Sequence, residues 1–339
     1  MHDVFADAIE QLLSHHCPPQ QVRRIEAGGD GGALWSELLA SGFADALVPE
    51  AAGGAGLTTR ECFPIVFACG YHALPLPFAQ TLLVRGLLAR AQETGTVSCP
   101  QGPIAIADHS ERCADGAIRC ARVSFGGVAQ WILAELDDTA FLLPVAAASR
   151  SGANGHAVLS VDLCWSSLPP DAREIHGVFD CRVIGAAIHA ALLAGAQQRV
   201  LTMTLAYAND RSQFGKAIGK FQAIQQQLSV LAEQVYAAKM AAQIGFDDAL
   251  VPAPLKVAVA KARASEAATT VAATAHAIHG AMGFTEEYDL QLYTRRLHEW
   301  RMACGSESYW YHRLGDAARA STQRRAVDFV REDILAGRA

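Results

Sequence analysis

Arg211-Ser212-Gln213-Phe214-Gly215-Lys216-Ala217-Ile218-Gly219-Lys220-Phe221-Gln222 is the stretch on which the reading of the fold turns. It breaks an otherwise helical run that starts near Arg182, and the residues after it are periodic. Phe221, Ile224, Leu228, Leu231 and Val235 recur at intervals of 3, 4, 3 and 4. That spacing puts a single apolar stripe along a long helix, and such a stripe reads as packing in a bundle. Pro252 and Pro254 then separate this helix from an Ala-rich one over 255–279. Alanines at that density let helices approach closely, as a bundle or a subunit interface requires. A helical hairpin flanked by two more long helices predicts a four-helix bundle over 182–339.

Upstream the character differs. Residues 104–107, 117–123, 131–135, 139–145 and 157–161 are short β-prone runs between Gly, Asp and Ser clusters, which predicts a small sheet or barrel over 101–181. Residues 1–100 read as helices (5–16, 34–41, 60–69 and 78–89) with Gly- and Pro-marked joints. The run Gly28-Gly29-Asp30-Gly31-Gly32 follows a helical stretch and lacks a preceding strand. It is read as an inter-helix joint and not as a phosphate loop. The expected architecture is mainly α with a small central β domain.

Composition narrows the function. The 339 residues carry 28 Lys+Arg against 34 Asp+Glu, a net charge of −6, with 51% hydrophobic and 18% charged residues. Disorder would need the opposite balance, and no basic run exists to neutralise nucleic-acid phosphates. No apolar stretch reaches the roughly 18–20 residues of a bilayer span. Met1-His2-Asp3 has no basic region leading into an apolar one, so no signal peptide is expected. Nine cysteines, an odd number without a Cys-x-x-Cys pair, predict reduced and mostly buried thiols in a cytoplasmic protein. No metal cluster is expected.

Two segments carry a family resemblance: 207–222, which contains the stretch quoted above, and His279-Gly280-Ala281-Met282-Gly283-Phe284 with Tyr288, Tyr293, Arg295 and Arg296 beyond it. Together they resemble the C-terminal signature of the acyl-CoA dehydrogenase family. Val48-Pro49-Glu50, Gly53-Gly54-Ala55-Gly56-Leu57 and Leu74-Pro75-Leu76-Pro77 are similar to its N-terminal helical domain. The resemblance implies FAD extended across a subunit interface, an acyl-CoA substrate, and an electron-transfer flavoprotein as acceptor. Arg211 matches an arginine directed at the pyrophosphate, where a guanidinium makes forked, charge-assisted hydrogen bonds. Phe214 matches an aromatic near the adenosine, and Gln213 and Gln222 fall on polar positions near the cofactor. Gly280 and Gly283 match glycines that admit close backbone approach. A simple helix C-cap and turn accounts for them as well.

The chain also departs from the family. Its chemistry removes an acidified α-proton with a carboxylate while the β-hydrogen leaves as hydride to the flavin. The glutamate of a Glu-Gly-Thr sequence falls here on Cys304, in Cys304-Gly305-Ser306. Ser306 keeps the cofactor-contacting part. The alternative base position, at the start of the first bundle helix, falls on Gly185, and a supporting arginine falls on Ala186. A thiol is a poor base unless its pKa is depressed, and Glu299 and Glu307 nearby read as exposed helix glutamates. The loop that relatives place against the flavin ring is missing between 104 and 116, and Trp131-Ile132 lies within a later strand.

Elements serving the chain's own site are thus lost, whereas those serving a neighbour's FAD are kept. That pattern resembles the short partner subunit of heterotetrameric acyl-CoA dehydrogenases of steroid side-chain catabolism. It implies a second, base-bearing subunit and a bulky CoA thioester substrate, with no catalytic residue assigned in this chain. A length of 339 residues, short for this family, points the same way. Three other readings stand beside it: a self-sufficient homo-oligomer using Glu307, a related flavin oxidase or hydroxylase, and a flavin-free assembly scaffold.

Overall fold

Helices α1 (Val4–His16), α2 (Pro19–Glu26), α3 (Gly32–Ala40), α4 (Thr59–Tyr71) and α5 (Phe78–Gln92) form the first layer. The computed structural model describes residues 4–92, 99–152, 159–175, 180–247, 249–322 and 325–336. Helix α2 was not expected from the sequence. It is eight residues long, starts on Pro19 and buries only Val22 and Ile25, too short a stripe to register as periodic. The glycine run after it is a joint between helices: Gly28 is left-handed at φ +89°, and the Gly32 N–H donates to Asp30 Oδ1 at 2.8 Å, closing an Asx turn. Helix α4 begins with a reciprocal cap between Thr58 and Glu61. Replacing Thr58 by Ala should cost about 1 kcal/mol, read as a lowered thermal midpoint with the fold intact.

Eight strands come next, β1 (Ile104–Ile106), β2 (Ser110–Arg112), β3 (Ile118–Val123), β4 (Trp131–Leu136), β5 (Thr139–Pro144), β6 (Ser149–Ser151), β7 (Val161–Trp165) and β8 (Arg173–Ile175). They make two four-stranded sheets, ordered β1-β4-β5-β8 and β2-β3-β7-β6. Among the described residues only β1 and β4 run parallel. The sheets share an apolar core of their own that includes Ile132 and Leu143 from one and Ile118, Leu163 and Trp165 from the other. The Trp165 indole N–H donates across it to the Pro144 carbonyl at 2.9 Å. The β-prone run expected over 157–161 falls partly outside the described residues, and the strand there begins at Val161. Three-residue strands such as β2 and β8 escaped the sequence because alternation needs more residues to show.

The C-terminal half is α6 (Cys181–Asp210), the two-residue strands β9 (Ser212–Gln213) and β10 (Lys216–Ala217), α7 (Gln222–Ile244), α8 (Pro254–His279), α9 (Leu290–Met302) and α10 (Glu307–Ala320). Helix α8 packs against α6, α7, α9 and α10. The α7 stripe turns inward, with Leu231 and Val235 fully buried. The fourth bundle position is divided into α9 and α10, because Cys304 and Gly305 are both left-handed, at φ +54° and +96°, and helices do not continue through such residues. Backbone-to-backbone packing joins this half to the first layer. A Cβ on Gly70 in α4 would stand 2.1 Å from the Leu192 carbonyl oxygen, and one on Gly195 in α6 would stand 2.0 Å from that of Phe67. Among the described residues no helix is long and apolar enough to cross a membrane.

Candidate cofactor edge and cleft

Six of the seven residues singled out for the cofactor collect at one end of the bundle. Helix α6 ends at Asp210, with Arg211 as its extended C-cap. The hairpin β9–β10 turns through Phe214 at φ +51° and Gly215 at φ +82°, and two positive φ values in succession are the mark of a type I′ turn. A phenylalanine in that conformation costs roughly 1–2 kcal/mol, and the turn lifts its ring to 92% exposure. The second segment arrives beside the first because Tyr207 stacks on His279 with ring centroids 4.4 Å apart. Gly280 caps α8 with φ +60° and open space where a Cβ would stand. Gly283 is instead enclosed, its notional Cβ at 3.0 Å from His279 and 3.1 Å from His276. Phe284 stacks on His276 at 4.3 Å and keeps 70% exposure.

Electrostatically this end is unfinished. Arg211, Gln213 and Gln222 are exposed. Among the described residues the Arg211 guanidinium has no ion-pair partner, Asp210 included. An unpaired fork of donors at the same end of the bundle as two exposed aromatic rings suits a ligand that joins phosphate to a flat base. The ADP portion of FAD has that chemistry, so these residues fit it. They fit it from one side only, since nothing among the described residues covers them.

Ser306 lies elsewhere. It lines a cleft of about 530 Å³ between the sheets and the bundle, together with Asp108, Arg122, Arg182, Glu299, Cys304 and Tyr309. Its hydroxyl is not spent on capping α10, although it occupies the N-cap position. Arg182 sits with its guanidinium carbon 5.3 Å from the Tyr309 ring centroid and donates to the Asp108 carbonyl at 3.3 Å. Trp131 is not part of this cleft: Arg173 covers its ring at 4.7 Å.

Gly185 and Cys304, the two positions that the resemblance matches to a base, stand side by side and hold no carboxylate. A Cβ on Gly185 would meet Cys304 Sγ at 2.5 Å. Cys304 is 3% exposed, and burial pushes its thiol well above the usual range, so it is protonated and packed. His189 Nδ1 lies 3.6 Å from that sulfur and 2.7 Å from the Gly185 carbonyl oxygen, which makes Nδ1 the protonated nitrogen of a neutral ring. Burial first, and the Lys261 charge second, lower its pKa to about 4.

The reading of Glu299 and Glu307 as exposed helix glutamates is corrected. The carboxylate of Glu307 is tied to the Arg301 guanidinium, with Nε donating at 2.9 Å. That hydrogen bond leads the causes holding its pKa below the usual carboxylate range. Glu299 lines the cleft, accepts a hydrogen bond from Ser160 Oγ, and has its pKa raised chiefly by burial. Neither partner is adjacent in sequence, which is why helical position alone misassigned both. No group of three or more His, Cys, Asp or Glu among the described residues is placed to hold a metal ion.

Residues 184–316 match the family described as acyl-CoA dehydrogenase, C-terminal domain. The chain is similar to acyl-CoA dehydrogenase IpdE2 of Mycobacterium tuberculosis, 29% identical over 302 residues that cover 86% of this chain and 89% of that protein. It is also similar to acyl-CoA dehydrogenase FadE34 of the same organism, 28% identical over 333 residues, covering 90% of this chain but only 45% of that protein. Among solved structures it resembles a chain of the ChsE4-ChsE5 complex from Mycobacterium tuberculosis, at 22% identity and TM-score 0.79, covering 94% of this chain and 97% of that one.

Proposed function

We propose that this chain, whose residues 184–316 match the acyl-CoA dehydrogenase C-terminal domain and whose fold resembles that of a chain of the ChsE4-ChsE5 complex, is a partner subunit that completes the FAD site of a second, base-bearing subunit. The observation that carries the proposal is a contrast inside one molecule. Both base positions, Gly185 and Cys304, are filled without a carboxylate, while the end bearing Arg211 and Phe214 stands exposed and unpaired. FadE34 supports the reading, since this chain corresponds to less than half of that protein's length. The resemblance to a chain from a two-component complex supports it as well.

When bound, FAD supplies the acceptor for the hydride that leaves the β-carbon of an acyl-CoA thioester. This chain's residues orient it. Arg211 would hold the pyrophosphate through forked hydrogen bonds, the exposed rings of Phe214 and Phe284 would offer apolar faces to the adenine, and Gln213 and Gln222 would offer amides to the polar rim. Gly280, with open space where a Cβ would stand, would let the backbone approach the cofactor closely. Removal of the α-proton falls to the partner subunit's carboxylate, and the substrate is a bulky acyl thioester of the steroid side-chain kind. Electron-transfer flavoprotein is the acceptor in this reading. A self-sufficient site based on Glu307 is disfavoured, because Arg301 occupies that carboxylate.

Co-expression with a base-bearing acyl-CoA dehydrogenase subunit tests the proposal. Two-component particles with half the FAD of an ordinary homotetramer are expected. In them Arg211→Met should weaken FAD retention about 10- to 100-fold, the value of a lost hydrogen bond to a charged group. Full FAD occupancy and turnover by this chain alone would overturn the reading. Unchanged FAD content in the Arg211→Met complex would favour a flavin-free scaffold.

A further inference from the structure

Lys261 is 0% exposed, two turns into α8. A lysine so buried persists only where its donors are fully used. Its Nζ donates to Ser265 Oγ at 2.9 Å, to the Arg301 carbonyl at 2.9 Å and to the Gly305 carbonyl at 2.8 Å. The first acceptor lies one turn along its own helix. The other two belong to the segment that divides α9 from α10. Arg301 supplies one of the orphan carbonyls at the end of α9, which no intrahelical N–H can reach, and Gly305 is the second of the left-handed pair that breaks the helix. The turn between them carries Cys304, Gly305 and Ser306 into the cleft.

We infer that Lys261 is the positioning residue of the cleft floor, tying both sides of the break to α8, the end of α9 through the Arg301 carbonyl and the 303–306 turn through the Gly305 carbonyl, and so fixing where Cys304 and Ser306 sit. This role does not depend on the partner-subunit reading. Ser265 Oγ also donates to the Arg301 carbonyl, at 3.3 Å, and the turn has few other anchors. Trp310 Nε1 donates to the Cys304 carbonyl at 3.0 Å, and Cys304 Sγ rests against Gly185 and His189. Two consecutive left-handed residues, one of them a cysteine, need surrounding contacts to hold them, and a three-donor group supplies those contacts from behind. Ser265 suits the arrangement to either protonation state. Its hydroxyl accepts from an ammonium while donating to the Arg301 carbonyl, and turned toward Nζ it can donate to a neutral amine that keeps its own two hydrogens on the two carbonyls.

The charged and titratable groups facing Lys261 are His189 from α6, Asp108 from the sheets, Arg301 from α9, Cys304 from the turn and Glu307 from α10. Burial leads the causes that lower the lysine to about 7, partly opposed by Cys304, Glu307 and Asp108. The native state therefore holds fewer protons at this site than the unfolded chain between about pH 7 and 10.5. Stability contributed by this group must rise with pH across that window.

The test is carried out on the full chain with Lys261→Met, which keeps the stem and removes the donors, and Lys261→Gln, which stays polar but is too short to span both carbonyls. Alkylation of individual cysteines by iodoacetamide at fixed pH is read by mass spectrometry. Cys304 should react at least 10-fold faster in both variants while Cys69, equally buried in α4, stays at its wild-type rate. The wild-type thermal midpoint should rise relative to Lys261→Met from pH 7 upward, because only the wild type has a buried amine to discharge. Equal acceleration of Cys304 and Cys69, or no acceleration of Cys304, would overturn the positioning role, and so would parallel pH profiles. Should neither variant fold, Lys261→Arg decides, because it keeps donors for both carbonyls: wild-type labelling of Cys304 and Cys69 supports the role, and faster Cys304 labelling with unchanged Cys69 sinks it.

Discussion

Gly195→Ala should destabilise this protein by about 3 kcal/mol or more, the upper end of overpacking costs, although alanine is the better helix former. The reason is the contact between α4 and α6. A methyl group on Gly195 would stand 2.0 Å from the Phe67 carbonyl oxygen and 2.7 Å from the Tyr71 amide nitrogen, so backbone meets backbone and no side chain can rotate aside. Relief requires the helices to separate, which opens voids along α6, a helix buried over most of its first four turns. Gly70→Ala meets the same obstacle from the other side, at 2.1 Å from the Leu192 carbonyl oxygen. Gly315 in α10 supplies the control. Its notional Cβ has only the Arg319 side chain nearby, at 3.8 Å, so Gly315→Ala should stabilise by about 0.5–1 kcal/mol. Thermal or urea unfolding of the three variants checks the order. Equal changes at Gly195 and Gly315 would contradict it.

Glu26→Ala should cost about 3–5 kcal/mol, the range for removing one partner from a buried ion pair. Glu26 at the end of α2 has only 8% of its side chain exposed and takes both Arg295 and Arg296 of α9, at 2.9 and 2.8 Å. Arg296 is 4% exposed and also donates to the Ala73 carbonyl at 2.8 Å. Without the carboxylate its charge would remain in the core largely uncompensated. The effect should reach the cleft, because α9 carries Glu299 and leads into the 303–306 turn. The double variant Glu26→Ala with Arg296→Met should recover part of the loss, since neighbouring partners in one network are not additive. Strict additivity of the two single changes would show that the pair is not coupled.

The sequence was most informative where the chemistry is contiguous. Arg211, Gln213, Phe214 and Gln222 lie within twelve residues, and glycine at 215 and 280 marks turns that few other residues adopt. Their exposed, unpaired state could not be read from letters, yet their grouping could. The cleft was not legible in that way. Gly185, His189, Lys261 and Cys304 span more than a hundred residues, and each alone reads as ordinary helix filling. Ser160 and Glu299 meet across 139 positions, so a carboxyl group that lines the cleft passed for a solvated one.

By itself the sequence determined the family resemblance, the mainly helical order with a β unit in the middle, and the absence of a carboxylate at the two positions the resemblance matches to a base. Those properties depend on residue identity and local periodicity, which a linear string preserves. Only the tertiary structure decided that the two vacated positions touch, that Glu307 is bound to Arg301, and that a buried lysine holds the floor of the cleft. Each of these depends on distance and desolvation between elements far apart in the chain, and folding alone brings such elements together.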